Sequence, residues 1–539
     1  MTAVRVIITG PSGVSTRLEI NDFIKDEKFF TLFIKAIQRM QNTDETDDRS
    51  YFAVAGIHGQ PYIAWNGATG SFAPGNWEFG GYCAHSSVLF PTWHRPYLLL
   101  LEQIIQEHAI EIATQFISDQ AGWKKAALDL RFPYWDWVVN ALPPDCVIKG
   151  ETVSVVDFDG NLTTVDNPLI RYRFRQKHRV LFDDPFDKWS TTLRHPTPGG
   201  KDDTDKLIQT LANAQVKTAD DTVALLAWVR DWDSFSNNTE HQESITNSLE
   251  GIHDQMHNHI GGTGHMGEIS VAAFDPIFYL HHCNIDRLVS IWSGINGGKW
   301  VCAGENDGGG NFTLAPRAAL NEDTGLAPFW STGGTFWSSK QMFETEKIGY
   351  TYPASNDKPA RETAEQYMDK FPGGFFVSSD VENGWYWSVR IRSKKFELGR
   401  SFSVLVFLGD VPEDPNQWAS SRNLVGAHHV VTNSAIEYCH NCLANIGAIN
   451  EGFVHLNRYL LSTRPFSGVL DPLNLSSFLS DQLQWRVMDN RRIPVQLCFL
   501  EVTMMSVPIM CRPGALLPMV DTKKPIFRHN LLSNREAVV

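Results

Sequence analysis

Cysteine is scarce in this chain, with eight among 539 residues, at positions 83, 146, 283, 302, 439, 442, 498 and 511. That is too few for a fold built on a disulfide framework. Charge is modest, at 20% of residues, and bases are outnumbered, with 47 Lys and Arg against 61 Asp and Glu. A net charge of -14 leaves no basic stripe for a phosphate backbone, so no nucleic-acid partner is expected. No apolar run reaches the roughly 20 residues of a membrane-crossing helix, so no membrane partner is expected either. The N-terminal stretch Met1 to Gly13 lacks a long apolar region ending in a small-residue cleavage site, and a cytoplasmic location follows as the expectation. The sequons at Asn161, Asn237, Asn311 and Asn474 mean little without export. There is no internal repeat and no low-complexity segment.

Aromatic residues, by contrast, are plentiful: 17 Trp, 13 Tyr and 32 Phe. They suit a ring-walled pocket, and a large core uses them equally well. At this length the chain has room for more than one domain. Asp22 to Gln41 carries Phe23, Phe30, Phe33, Ile34, Ile37 and Met40 at helical spacing. Further helical stretches run over 96–109, 207–228, 248–259 and 276–292. Residues 353–370 are polar and read as a linker between a domain at 1–352 and another at 371–539. Beyond the linker the period becomes two: Trp385, Trp387, Val389 and Ile391 alternate with Tyr386, Ser388, Arg390 and Arg392. The fold class is therefore a mainly α core domain followed by a β-rich, sandwich-like or barrel-like C-terminal domain.

Histidine placement carries the chemistry. His253 and His257 lie four apart, so on a helix both rings share one face and can reach one metal. Alone, such a pair is as readily a polar helix face. His281 and His282 end the aromatic run Phe278-Tyr279-Leu280 inside a predicted buried helix, where two imidazoles are costly unless something binds them. Asp286 is spaced to orient His282 as an outer carboxylate partner. Upstream, His58 and His85 lie in glycine-flanked loops and His94 opens a helix. Three imidazoles in each of two regions are hard to read as six satisfied core residues.

These segments resemble the tyrosinase, catechol oxidase and hemocyanin superfamily, especially its fungal tyrosinases. The resemblance covers residues 15–352 and rests on several motifs in order. They are Ser15 to Ile20, Gly56-Ile57-His58-Gly59-Gln60-Pro61-Tyr62, Phe90-Pro91-Thr92-Trp93-His94-Arg95, Pro133-Tyr134-Trp135-Asp136-Trp137, the run from His253 through Gly264-His265-Met266 to Arg287, and Tyr350-Thr351-Tyr352. It implies a four-helix bundle holding two copper ions, one on His58, His85 and His94, the other on His253, His257 and His282, with His281 a neighbour. Cys83 matches the cysteine that in fungal members forms a thioether to the second histidine. Glu250 matches a glutamate that holds a water near the second copper and helps deprotonate substrate, and Phe274 is expected to stand over the metal pair. Six neutral imidazoles without carboxylate or thiolate suit copper.

The implied activity is oxidation of phenols and o-diphenols to o-quinones with dioxygen, for pigment or secondary-metabolite biosynthesis. The partners are then a small phenolic or aromatic substrate and dioxygen, with a homo-oligomer left open. Asp254, following His253, replaces the Asn common in strong monophenol hydroxylases. The C-terminal domain loosely resembles the family's shielding domain, but its aromatic plug aligns near Val430 or Val431. Cys439 and Cys442 look like a pair that loads copper in some relatives. Two other classes compete. Zinc in place of copper would give a non-redox enzyme like the hemocyanin-like cyclopenases of fungal secondary metabolism. A pure oxygen carrier would close the pocket to substrate.

Overall fold

The computed structural model describes residues 5–68, 81–241, 244–306, 311–315, 317–353, 357–370, 383–432, 446–462, 470–510 and 519–531. Helix α1 (Glu27–Asn42) starts where the Asp26 carboxylate caps the amides of Lys28 and Phe29, and it buries Phe33, Ile34, Ile37 and Met40. It is followed by α2 (Tyr51–Gly56), α3 (Phe90–Ala113), α4 (Thr204–Trp228), α5 (Leu249–Gly261) and α6 (Ile277–Ile295). In α3 the helix begins six residues before the expected start at Pro96. Pro91 occupies the first turn, where a missing N–H costs nothing, and Pro96 is carried in the interior of a helix buried nearly all round. No helix is long and apolar enough to cross a membrane among the described residues.

One buried polar network locks this domain. Ser15 and Thr16 pair in parallel with Tyr350 and Thr351, which carries Arg17 into the core. Arg17 donates to both Glu102 oxygens at 3.0 Å, to Asp286 at 3.1 Å and to the Tyr352 hydroxyl at 2.8 Å, and its guanidinium stacks 3.6 Å over the Tyr350 ring. Arg95 donates to the other Asp286 oxygen at 2.6 Å. Asp286 therefore does not orient His282 as expected. Two arginines and the hydroxyls of Tyr350 and Tyr352 engage its carboxylate instead, and against the opposing effect of burial they hold it below its ordinary range.

The stretch expected as a linker is largely helical. Helix α7 (Asp357–Lys370) buries Ala360, Ala364 and Tyr367. The Tyr367 hydroxyl accepts from Arg287 at 2.7 Å and donates to Asp136 at 2.9 Å. The polar composition that suggested a connector belongs to its outer face. The spacing of 360, 364 and 367 is a one-sided apolar stripe.

The C-terminal domain is a two-sheet antiparallel sandwich. Its strands are β1 (Asn383–Lys394), β2 (Phe402–Leu408), β3 (Leu424–Val430), β4 (Ile449–His455), β5 (Leu483–Asp489), β6 (Leu500–Met510), β7 (Met519–Val520) and β8 (Phe527–Asn530). One sheet runs β3-β2-β5, the other β4-β1-β6-β7 with β8 also on β6. Trp387, Val389 and Ile391 of β1 pack against Val404 and Val406 of β2, as the period of two predicts. The opposite face is not open to solvent. Tyr386, Val507 and Ile509 join the apolar core of the helical domain, and the Tyr386 ring meets Trp228 edge-on at 4.7 Å. Val430 lies in the sandwich's own core. The Cys439 and Cys442 pair lies outside the described residues.

Candidate metal centre

The site is assembled from α3, α5, α6 and two loops. His94 sits on the first turns of α3, His253 and His257 on one face of α5, and His281 and His282 early in α6. His58 follows α2. His85 precedes Ser86, whose backbone is left-handed (φ 51°). The rings of His58, His85 and His94 form a near-equilateral triangle, with centroids 5.5, 5.6 and 5.7 Å apart. Those of His253, His257 and His282 lie 4.3, 4.8 and 5.6 Å apart. The two triads touch where His94 stacks on His282 at 4.4 Å.

Five of the six rings are oriented by a partner at the outer nitrogen, while His282 Nδ1 is buried with none among the described residues. The Nδ1 atoms of His58, His94 and His257 lie 2.9, 2.8 and 2.8 Å from the carbonyls of Ile269, Phe90 and Met266. Those of His85 and His253 lie 3.0 and 2.9 Å from carboxylate oxygens of Glu250 and Asp254. This fixes the tautomer, with Nδ1 donating and the Nε2 lone pair turned inward. Glycines allow the approach. A Cβ on Gly59 would stand 2.4 Å from the Ser270 carbonyl, and one on Gly261 would stand 2.0 Å from the Gly267 amide. Those contacts bring the Ile269 and Met266 carbonyls within reach of their imidazoles.

The inner nitrogens face one another and, at His94, the Cys83 sulfur. His58 Nε2 and His85 Nε2 are buried without a hydrogen-bond partner among the described residues. His282 Nε2 faces His253 Nε2 at 3.2 Å and His257 Nε2 at 3.4 Å. Burial pushes all six imidazoles down, His94 to about 3 and His257 to about 4, so they stand neutral at physiological pH. Convergent neutral nitrogens left unsatisfied in a dry site are costly without a cation. The donor set fits copper, a metal suited by imidazole, and offers no hard oxygen cage.

His281 also belongs to the second group, its donor atom within 4.8 Å of those of His253, His257 and His282. Both its nitrogens lack partners among the described residues, and its ring tilts toward Trp137 at 6.0 Å. Cys83 Sγ lies 3.4 Å from His94 Nε2. His259 and His265 do not join the second group. His265 accepts from the Leu193 amide, and His259 meets His429.

Phe274 does not stand over the imidazoles. Its ring packs among Phe52, Tyr172, Phe174 and Phe182. Phe278, in the first turn of α6, covers the site, 4.0 Å from the His282 ring and 5.0 Å from His58. The spacing had the answer: Phe278 precedes His282 by four and so shares its helix face, whereas Phe274 lies outside the helix.

Glu250 is wholly buried. It accepts from the Ser86 amide at 2.8 and 3.0 Å and from the Asn238 amide at 3.2 Å, besides His85. Asp254 accepts from Asn238 Nδ2 at 2.8 Å. Burial pushes both carboxyls up, and the Glu250 charge pushes Asp254 further. No local sequence pattern marks Ser86 or Asn238. Each lies more than ten residues from the carboxylate it serves.

A helical core that turns two sets of imidazoles toward one dry centre defines a binuclear copper protein. Residues 48–295 match the common central domain of tyrosinase and residues 386–504 the tyrosinase C-terminal domain. The chain is 36% identical to polyphenol oxidase 2 of Agaricus bisporus, covering 96% of each, and 28% identical to the tyrosinase of Neurospora crassa, covering 90% of this chain and 91% of that one. The solved latent and active mushroom tyrosinase superposes with a TM-score of 0.85 at 34% identity, over 97% of this chain and 98% of that one. This chain belongs to the tyrosinase family. That membership decides for the phenol-oxidising copper reading over the zinc one.

Proposed function

We propose that the enzyme oxidises o-diphenols to o-quinones with dioxygen, using one copper held by His58, His85 and His94 and another by His253, His257 and His282. The convergence of six neutral imidazoles on one buried, ring-walled centre carries this reading, since that donor set suits copper and its redox chemistry. Bound copper supplies the electron exchange with dioxygen. The chain's own groups orient the imidazoles through outer carbonyls and carboxylates, wall the centre with rings and keep water out.

Glu250 is the group proposed to receive the substrate's proton, and Asp254 sets how readily it does so. Asp254 is tied to both His253 and Asn238, and Glu250 to His85, Ser86 and Asn238, so the pair is held rather than free. A catechol, easier to deprotonate and oxidise than a monophenol, is the substrate class this frame favours. Exposed free thiols at Cys302 and Cys498 fit action in a reducing compartment. Oxygen uptake should be measured with a catechol and its matching monophenol, in the wild type and in Asp254→Asn. The expected result is fast catechol oxidation by the wild type and a several-fold rise in the monophenol-to-catechol rate ratio in the variant. An unchanged ratio counts against the role of Asp254, and no uptake with catechol by the two-copper protein counts against the reaction.

A further inference from the structure

The C-terminal domain does more than cover the helical domain: one of its side chains reaches the frame around the imidazoles. Lys395 follows β1, and its main chain is fixed by a bond from its amide to the Ala448 carbonyl. Its side chain is buried, only 4% exposed, and its ammonium donates to the Ser86 hydroxyl at 2.7 Å. A buried ammonium is tolerated only where charge and hydrogen bonds compensate it.

Ser86 is a node. Its hydroxyl donates to Asn238 Oδ1 at 3.1 Å, and its amide donates to Glu250, which holds His85. Asn238 in turn donates to Asp254, which holds His253. The domain grips Asn238 directly as well, since the Glu451 amide on β4 donates to the Asn238 carbonyl at 2.9 Å. Two continuous chains of bonds thus run from Lys395, one to an imidazole of each triad. The left-handed Ser86 conformation, unfavourable for a residue with a Cβ, is held by these contacts. The ammonium also favours the ionised form of both Glu250 and Asp254.

We propose that Lys395 is a positioning residue for the metal centre, through which the C-terminal domain holds the hydrogen-bonded frame of His85 and His253. The idea rests on the copper assignment above. Losing an outer partner of a metal-bound histidine commonly costs 10- to 100-fold in metal affinity. The full-length chain in four forms tests it: wild type, Lys395→Met, Lys395→Arg and Arg392→Gln. The last breaks an ion pair to Glu240 across the same domain boundary without touching the site.

Each copper-loaded protein is dialysed against graded chelator and its copper counted. Lys395→Met is expected to release copper at roughly 10-fold lower chelator concentration, Lys395→Arg to recover most of the difference, and Arg392→Gln to match wild type. Should Lys395→Met not fold, Ser86→Ala removes the same bond from the other side, together with the one to Asn238, and should show at least the same loss. Release at the wild-type concentration by Lys395→Met or Ser86→Ala overturns the role of Lys395. Equal loss in Arg392→Gln also overturns it, because a loosened boundary then suffices. A wild type that binds fewer than two coppers overturns the copper assignment itself.

Discussion

Five of the six imidazoles, His94 and His257 among them, give their Nδ1 to an outer partner, so the metal-binding power of each resides in the remaining Nε2 lone pair. Replacing His94 or His257 with Ala therefore removes one donor from one triad only. Each variant should retain about one copper per chain where the wild type holds two, by elemental analysis of purified protein. Two coppers retained in either would break the ligand assignment. These histidines were legible in the sequence because the i, i+4 pair and the aromatic run before His282 are local patterns. Ser86, Asn238 and Lys395 were not, since they meet across 152 to 309 residues of chain. The resemblance implies Phe274, whereas helix periodicity puts Phe278 on the face of His282.

At the scale of elements, α7 shows how a polar stretch becomes structural through one face. Tyr367 brings a hydroxyl to Arg287 and Asp136, two charged groups buried beside α6. Removing that hydroxyl with Tyr367→Phe leaves both short of a partner, and should cost about 1–3 kcal/mol in urea or thermal unfolding. A loss below a few tenths would mean the Arg287–Asp136 contact closes without it. The main helices and the alternation in β1 were readable from periodicity. The helical character of 357–370 was masked by its charge, and the early start of α3 by Pro96, because neither composition nor a proline rule reports burial. The double-sided burial of β1 was equally hidden: Tyr386 and Trp387 look alike in sequence and serve two different cores.

At the scale of the molecule, the boundary between the domains is rich in buried histidine. His428 and His455 are each pushed down to about 4 by burial, one bonded to Asn450 and the other 3.1 Å from Asp221 across the boundary. In the unfolded chain both would titrate near 6.5. The unfolded state thus binds more protons between about 6.5 and 4, and stability falls as pH drops through that window. With two such groups the loss should approach about 2.7 kcal/mol per pH unit near its steepest. Urea midpoints at pH 7 and pH 5 check this, and equal midpoints would contradict it. Two domains of different class were legible in the sequence, but their shared core was not, because no local pattern reports which outer face meets a neighbour. That shared core has a practical outcome. A cut in the chain between Lys370 and Asn383 breaks one covalent connection, while Tyr386 against Trp228 and the paired Arg458 and Asp220 still hold the halves together. The nicked protein should show two bands on a denaturing gel and a single peak on a sizing column.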